Sequence, residues 1–188
     1  MTLSTYEPPA LEIWLTRTLG LTVLSPYYRG FVRGLALRGD ERVLDFGSGS
    51  GVLSRHIAAR LQKSDGYLEC VDVSHGWMTV IRKMLRRYTN VGYHLGHITR
   101  LDLPDDAYDV VVIHFVLHEV PALERPAIVG TLARKLKAGG RLVLREPQDE
   151  GLTPKELRSL ADAVGLETRT LEARKPAFGA VYDASFVR

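Results

Sequence analysis

The chain has 188 residues, 25 Lys and Arg against 22 Asp and Glu, 45% hydrophobic residues and one cysteine. That length suits one domain whose core needs neither disulfides nor a structural metal, and the composition excludes wholesale disorder. A net charge of +3 is too small to mark a nucleic-acid footprint, and the lone Cys70 excludes a disulfide framework or a multi-cysteine zinc site.

Residues 1–38 read as two helices. Leu11, Trp14, Leu15 and Leu19 recur at helical spacing. Tyr27, Phe31 and Leu35 form a second stripe after Ser25-Pro26, a cap followed by proline at the first helical position. Residues 1–10 lack the basic and apolar segments of a secretion signal. The most apolar stretch, 110–120, is broken by His114, His118 and Glu119 and is too short to span a bilayer. The expected location is therefore the cytoplasm.

From Arg42 the pattern alternates between strands and helices. Residues 43–46 are a short apolar strand running into glycines, and 52–61 a helix with Leu53, Ile57 and Leu61 on one face. Strand 67–73 follows, then a helix with Trp77, Ile81, Leu85 and Tyr88 inward and Arg82, Lys83, Arg86 and Arg87 outward. That basic face reads as solvated, and no aromatic interleaving points to nucleic acid. Residues 91–95 form a third strand, and 108–113 a fourth, nearly continuous and apolar as in a sheet covered on both faces. A helix lies within 121–136, ended by Lys137-Ala138-Gly139-Gly140, and 141–145 is a fifth strand. Thr153-Pro154-Lys155-Glu156 reads as a capping box opening a helix that stops at Gly165. Residues 166–173 and 180–187 read as a closing hairpin.

Strands joined by helices imply right-handed crossovers and a mainly parallel sheet. The expected fold is therefore a Rossmann-like α/β domain over 39–188: seven strands, helices on both faces, an antiparallel C-terminal hairpin and the 1–38 helices as a lid. Ligands of such sheets bind beyond the carboxyl ends of the strands, so residues just after a strand are the site candidates.

The sharpest of these is Val43-Leu44-Asp45-Phe46-Gly47-Ser48-Gly49-Ser50-Gly51, a buried strand running into a Gly-x-Gly-x-Gly turn and a helix. Glycines let the chain turn tightly and a ligand touch backbone. The spacing is not the Gly-x-Gly-x-x-Gly of dinucleotide enzymes. Asp72 ends the second strand, where an acid can accept bonds from both hydroxyls of a ribose or cap the next helix.

These residues resemble the class I S-adenosylmethionine-dependent methyltransferases, of the small-molecule ubiquinone/menaquinone type. The resemblance extends through Val71-Asp72-Val73-Ser74, Leu103-Pro104, Tyr108-Asp109-Val110-Val111, Val116-Leu117-His118-Glu119-Val120 and Leu136-Lys137-Ala138-Gly139-Gly140-Arg141-Leu142. It implies S-adenosyl-L-methionine as cofactor and S-adenosyl-L-homocysteine as product. Asp45, Gly47, Ser48, Gly49 and Gly51 would surround the methionine moiety and Asp72 would hold the ribose. Val73 and Trp77 would lie along the adenine, with backbone contact from Ile98. His97 stands where the family has an aspartate accepting from the adenine amino group. A neutral imidazole can accept there and a protonated one cannot.

His114 ends the fourth strand, where methyl donor and acceptor should meet, and its His114-Phe115-Val116-Leu117 run departs from the Asn-Pro-Pro-aromatic run of amide- and nucleobase-modifying members. His114 and His118 are the candidate bases. Their spacing also suits two metal ligands on a helix, but they leave a strand, so no metal is expected. The implied reaction is in-line methyl transfer to a small-molecule acceptor. The rival readings are a protein or RNA acceptor, and a non-catalytic member of the same fold. A second copy of the chain is a candidate partner.

Overall fold

A computed structural model describes residues 7, 9, 11, 19–20, 22–176 and 179–188. Trp14 and Leu15 of the first expected helix lie outside the described residues. The chain divides into two units, Met1–His97 and Ile98–Arg188.

In the first unit, helix α1 (Ser25–Gly34) is followed by β1 (Arg42–Phe46), α2 (Val52–Leu61), β2 (Tyr67–Asp72), α3 (His75–Met84) and β3 (Val91–Leu95). The three strands are parallel in the order β3-β2-β1, with Asp45 opposite Cys70 and Asp72 opposite Leu95. Val43, Leu44, Ile57, Leu61, Leu68 and Ile81 are the buried contacts between sheet and helices. Such burial supplies about 25 cal/mol per Å² of apolar surface.

Two local expectations are corrected here. Ser25 is the first residue of α1, not its cap; Leu24 caps it without a side-chain bond, and the Ser25 hydroxyl lies 3.5 Å from His56 Nε2. Helix α3 ends at Met84, so Leu85 and Tyr88 pack from the turn after it, and Arg86 and Arg87 belong to that exposed turn.

The second unit opens with a single 3-10 turn (Ile98–Arg100). It continues through β4 (Tyr108–His114), α4 (Arg125–Lys135), β5 (Leu136–Pro147), α5 (Pro154–Asp162), β6 (Glu167–Arg174) and β7 (Val181–Val187). Strands β4 and β5 are parallel; β7 runs antiparallel between β5 and β6. The Lys137–Gly140 turn does not precede β5 but lies inside it: pairing resumes at Val110 opposite Arg141 after a register shift that accommodates Gly139 at φ +76°. The Thr153 hydroxyl accepts the Glu156 N–H at 3.1 Å, the first half of the expected capping box. The Glu156 carboxylate does not close it but accepts from Arg125 Nη1 at 2.7 Å, a buried cation offering a stronger bond than a peptide N–H. Among the described residues no helix is long and apolar enough to cross a membrane.

Candidate active site

Each unit carries a cluster at the carboxyl ends of its parallel strands. In the first, β1 runs straight into the glycine turn. The Gly47 and Ser48 N–H groups donate to the Val71 carbonyl at 2.9 and 3.0 Å, which fixes the turn to the end of β2. Gly47, Gly49 and Gly51 adopt φ of +73°, +50° and +76°. Two of these glycines do different things. A Cβ on Gly51 would meet Ile81 Cγ1 at 2.5 Å, so glycine there lets α2 start hard against α3. At Gly49 the nearest atom to such a Cβ is the Gly47 carbonyl oxygen at 4.0 Å, so the turn presents open backbone at that point.

Asp72 ties the cluster together. Its carboxylate accepts the Gly49 N–H at 2.8 Å and the Ser74 N–H at 2.9 Å, and its carbonyl accepts the Gly96 N–H at 2.9 Å. It does not cap α3; Ser74 does, accepting from the Trp77 N–H. Burial pushes the Asp72 carboxyl up, against the bonds from Ser74, Gly49 and Val73, and the Glu7 charge adds to the rise. Asp45 is 1% exposed, and its Oδ2 accepts the Ser54 hydroxyl at 2.5 Å. Burial, reinforced by the Asp72 charge, pushes its pKa up to about 6 against the lowering bonds from Ser54 and Ser48.

Glu7 joins this cluster with no motif or spacing to mark it. Its carboxylate accepts from the Ser74 hydroxyl and the His75 and Gly76 N–H groups at 2.9–3.0 Å, taking the start of α3. Val73, just after β2, is 36% exposed; Trp77 in the first turn of α3 and His97 just after β3 are partly exposed. Ser48 is buried and donates to the Asp45 carbonyl.

A carboxylate has about four acceptor positions, so Asp72 retains capacity for a ligand hydroxyl beside its backbone bonds. With open backbone at Gly49 and a second buried carboxyl at Asp45, these residues fit a ligand that is both a nucleoside and a cation.

In the second unit Ile98 is buried. His114, the last residue of β4, has its ring edge-on to Phe115, with centroids 4.5 Å apart. Burial, aided by the Arg145 charge, drives its pKa down to about 3, so the ring is neutral and a weak proton acceptor. Arg145 itself is held by Asp183 through two bonds of 2.6 Å.

Phe115 adopts φ +58°, a left-handed conformation rare for a bulky residue and characteristic of functional turns. The reversal it makes sends three consecutive N–H groups toward one buried acceptor, Glu146, at the end of β5. Glu146 Oε1 accepts from Val116 and Leu117 at 3.0 and 2.8 Å, and Oε2 accepts from the His118 N–H at 3.3 Å. The same Oε2 lies 2.6 Å from His118 Nδ1. Arg125 braces the loop from α4, donating to the His118 and Val120 carbonyls at 3.2 and 2.9 Å while paired with Glu156. Glu146 escaped the sequence reading although it follows 141–145, the stretch expected as strand five, and the rule of residues after strands selects it. Arg125 carries no such signal. Among the described residues no group of three His, Cys, Asp or Glu gathers as a metal site.

Comparisons with known proteins bear on the family and the fold. The pattern of the family described as methyltransferase domain matches residues 43–140. The ubiquinone/menaquinone biosynthesis C-methyltransferase of Vibrio parahaemolyticus is 32% identical over 120 residues, which is 62% of this chain and 45% of that protein. The chain thus spans less than half the length of such curated relatives. A SAM-dependent methyltransferase from Methanosarcina mazei superposes with a TM-score of 0.70 at 18% identity, covering 84% of this chain and 96% of that one. The magnesium protoporphyrin IX methyltransferase of Synechocystis PCC 6803, solved with bound SAM, gives 0.69 at 17% identity over 97% and 86%. The fold is the seven-stranded, mostly parallel Rossmann-like sheet with antiparallel C-terminal strands. The chain belongs to the methyltransferase-domain family.

Proposed function

We propose that the chain binds S-adenosylmethionine and transfers its methyl group to a small-molecule acceptor. The observation that carries this reading is the pair of buried, mutually repelling carboxyls Asp45 and Asp72 at the glycine turn. A cationic ligand relieves that repulsion, whereas the phosphates of a dinucleotide would add to it. Asp72 would hold the ribose hydroxyls, Asp45 the ammonium group, and the backbone of Gly47, Ser48 and Gly49 the methionine moiety. Gly51 sets the approach of the two helices. Val73, Trp77, His97 and Ile98 would border the adenine.

When bound, the sulfonium supplies an electrophilic methyl group. The chain's own task is then to align donor and acceptor and exclude water, which is worth roughly 7–11 kcal/mol in favourable cases. His114, kept neutral by burial, would flank the transfer without taking a proton. The name of the Vibrio relative places a carbon acceptor of the quinone class first among those to try. A cytoplasmic location and a second copy as partner complete the reading.

Calorimetric titration with S-adenosylmethionine and S-adenosylhomocysteine tests it, with NAD as control and Asp72→Ala alongside. Micromolar binding of the first two, lost in Asp72→Ala and absent for NAD, is expected. Equal binding of NAD, or none of either sulfur ligand, refutes it. Methyl label appearing in tRNA or protein and not in a dihydroxynaphthalene would assign a macromolecular acceptor.

A further inference from the structure

We propose that His118 is the proton acceptor for the methyl-accepting substrate and that Glu146 is the residue that positions it. The inference rests on the methyl-transfer reading above and adds a base, a positioning partner and a class of acceptor.

The three backbone groups that reach Glu146 donate to it: the N–H groups of Val116, Leu117 and His118. A side chain that is 0% exposed and surrounded by donors is an acceptor-only carboxylate. Its Oε2 stands 2.6 Å from His118 Nδ1, so the ring proton belongs on Nδ1 and the lone pair on Nε2. The ring is held twice, through its own backbone N–H on the same oxygen and through its carbonyl on Arg125 Nη2. The His118 side chain is 15% exposed, whereas that of Glu146 is fully buried.

The charged groups around the ring favour proton uptake. Glu146 faces it from β5, Glu119 lies 4.0 Å from Nε2 in its own loop, and Glu150 follows β5. The facing cation, Arg125 of α4, is engaged by Glu156. Burial lowers the pKa of His118, but the Glu146 bond and these three carboxylates outweigh it, and the net shift is upward.

An imidazole base suits an acceptor that is weakly acidic, a phenolic O–H or a C–H acidified by a neighbouring phenol or carbonyl. In the step, His118 Nε2 takes the acceptor's proton. The electron pair left behind forms the new bond to the methyl carbon, whose bond to sulfur breaks with its pair staying on sulfur. The imidazolium, stabilised by Glu146, later returns the proton to solvent.

Proton–nitrogen correlation spectra of protein with isotope-labelled histidine test the positioning without any turnover. The wild type should show the His118 proton on Nδ1. Glu146→Gln presents an amide N–H to Nδ1, so the proton should move to Nε2 and the titration of the ring to lower pH. A wild-type proton on Nε2, or a tautomer indifferent to Glu146→Gln, overturns the pairing. Methyl transfer to a dihydroxynaphthalene tests the base. His118→Gln should lower kcat about 100-fold or more with KM little changed and abolish the rise of rate with pH. Glu146→Gln should shift that rise to lower pH, which a merely structural residue would not do. A His118→Gln rate within about threefold of wild type overturns the base role. S-adenosylhomocysteine binding on the same proteins separates the two readings. Binding kept in both variants leaves the cofactor site intact, and binding absent from the wild type refutes the proposed function while the tautomer result stands.

Discussion

Asp45 is held in a form that costs the folded protein stability, and Asp45→Asn exposes how much. The carboxyl is 1% exposed and its pKa rises from 3.8 to about 6. A carboxyl whose folded pKa is raised binds its proton more tightly when folded. The penalty is therefore absent below the unfolded value and grows as pH rises through the folded one. At about 1.4 kcal/mol per unit, the two-unit shift costs about 3 kcal/mol above pH ~6.5. Asparagine keeps the shape and still accepts from the Ser54 hydroxyl at its oxygen. Its amide N–H needs an acceptor, a loss of about 1–2 kcal/mol. Urea unfolding at about pH 7.5 should therefore show Asp45→Asn about 1–2 kcal/mol more stable than wild type, and at about pH 4 the order should reverse. The same variant should bind S-adenosylmethionine more weakly, since the charge that strains the apoprotein is the one proposed to receive the ammonium. A stability difference that does not move toward the variant by at least about 1 kcal/mol between those pH values refutes the account.

Four further outcomes follow from the geometry. His114 is a base whose folded pKa is depressed from 6.5 to about 3, so its contribution is present above pH 6.5 and lost as pH falls toward 3. His114→Phe should flatten the acid limb of thermal unfolding by up to about 4 kcal/mol, less where solvent still reaches the ring. Gly51→Ala should cost about 2–4 kcal/mol, combining a left-handed alanine with the Ile81 clash, and Ile81→Ala should recover part of it. Gly49→Ala should cost about 1–2 kcal/mol, with its larger effect on ligand affinity measured by titration. Arg125→Met removes three donated bonds and leaves Glu156 unpaired, and chemical unfolding should register about 2–3 kcal/mol.

The alternation of apolar runs with turns places six of the seven strands within one residue, because each run has to be buried, while the fifth begins five residues before the expected 141. Helix ends were less legible. Ser25-Pro26 reads as a cap and first residue, yet Leu24 takes the cap, because the Ser25 hydroxyl sits toward His56 and Arg29. Glu156 matches a capping box, yet a buried arginine thirty-one positions away claims its carboxylate. In the site, Asp45, Gly49 and Asp72 were readable because local spacing sets them at strand ends. Glu7 was not, because its role depends on backbone N–H groups that carry no residue signature, whereas Glu146 follows an expected strand and only its partners were hidden. His114 and His118 look equivalent in the sequence. Burial beside Arg145 and pairing with Glu146 drive them in opposite directions, a difference that exists only after the strands are paired.

The loop that carries His118 takes its shape from a residue 28 to 30 positions downstream. Until β5 docks beside β4, residues 116–118 have only water to satisfy their amides, and closing a segment of that length costs roughly 3 kcal/mol of chain entropy. The loop is therefore a late arrival in folding, set only when the end of β5 is in place. The stretch matched by the family pattern closes at residue 140, so a chain ending there would keep the glycine turn and Asp72 but hold His118 in no fixed orientation. In hydrogen exchange the three amides should open together, at the rate at which the end of β5 lets go.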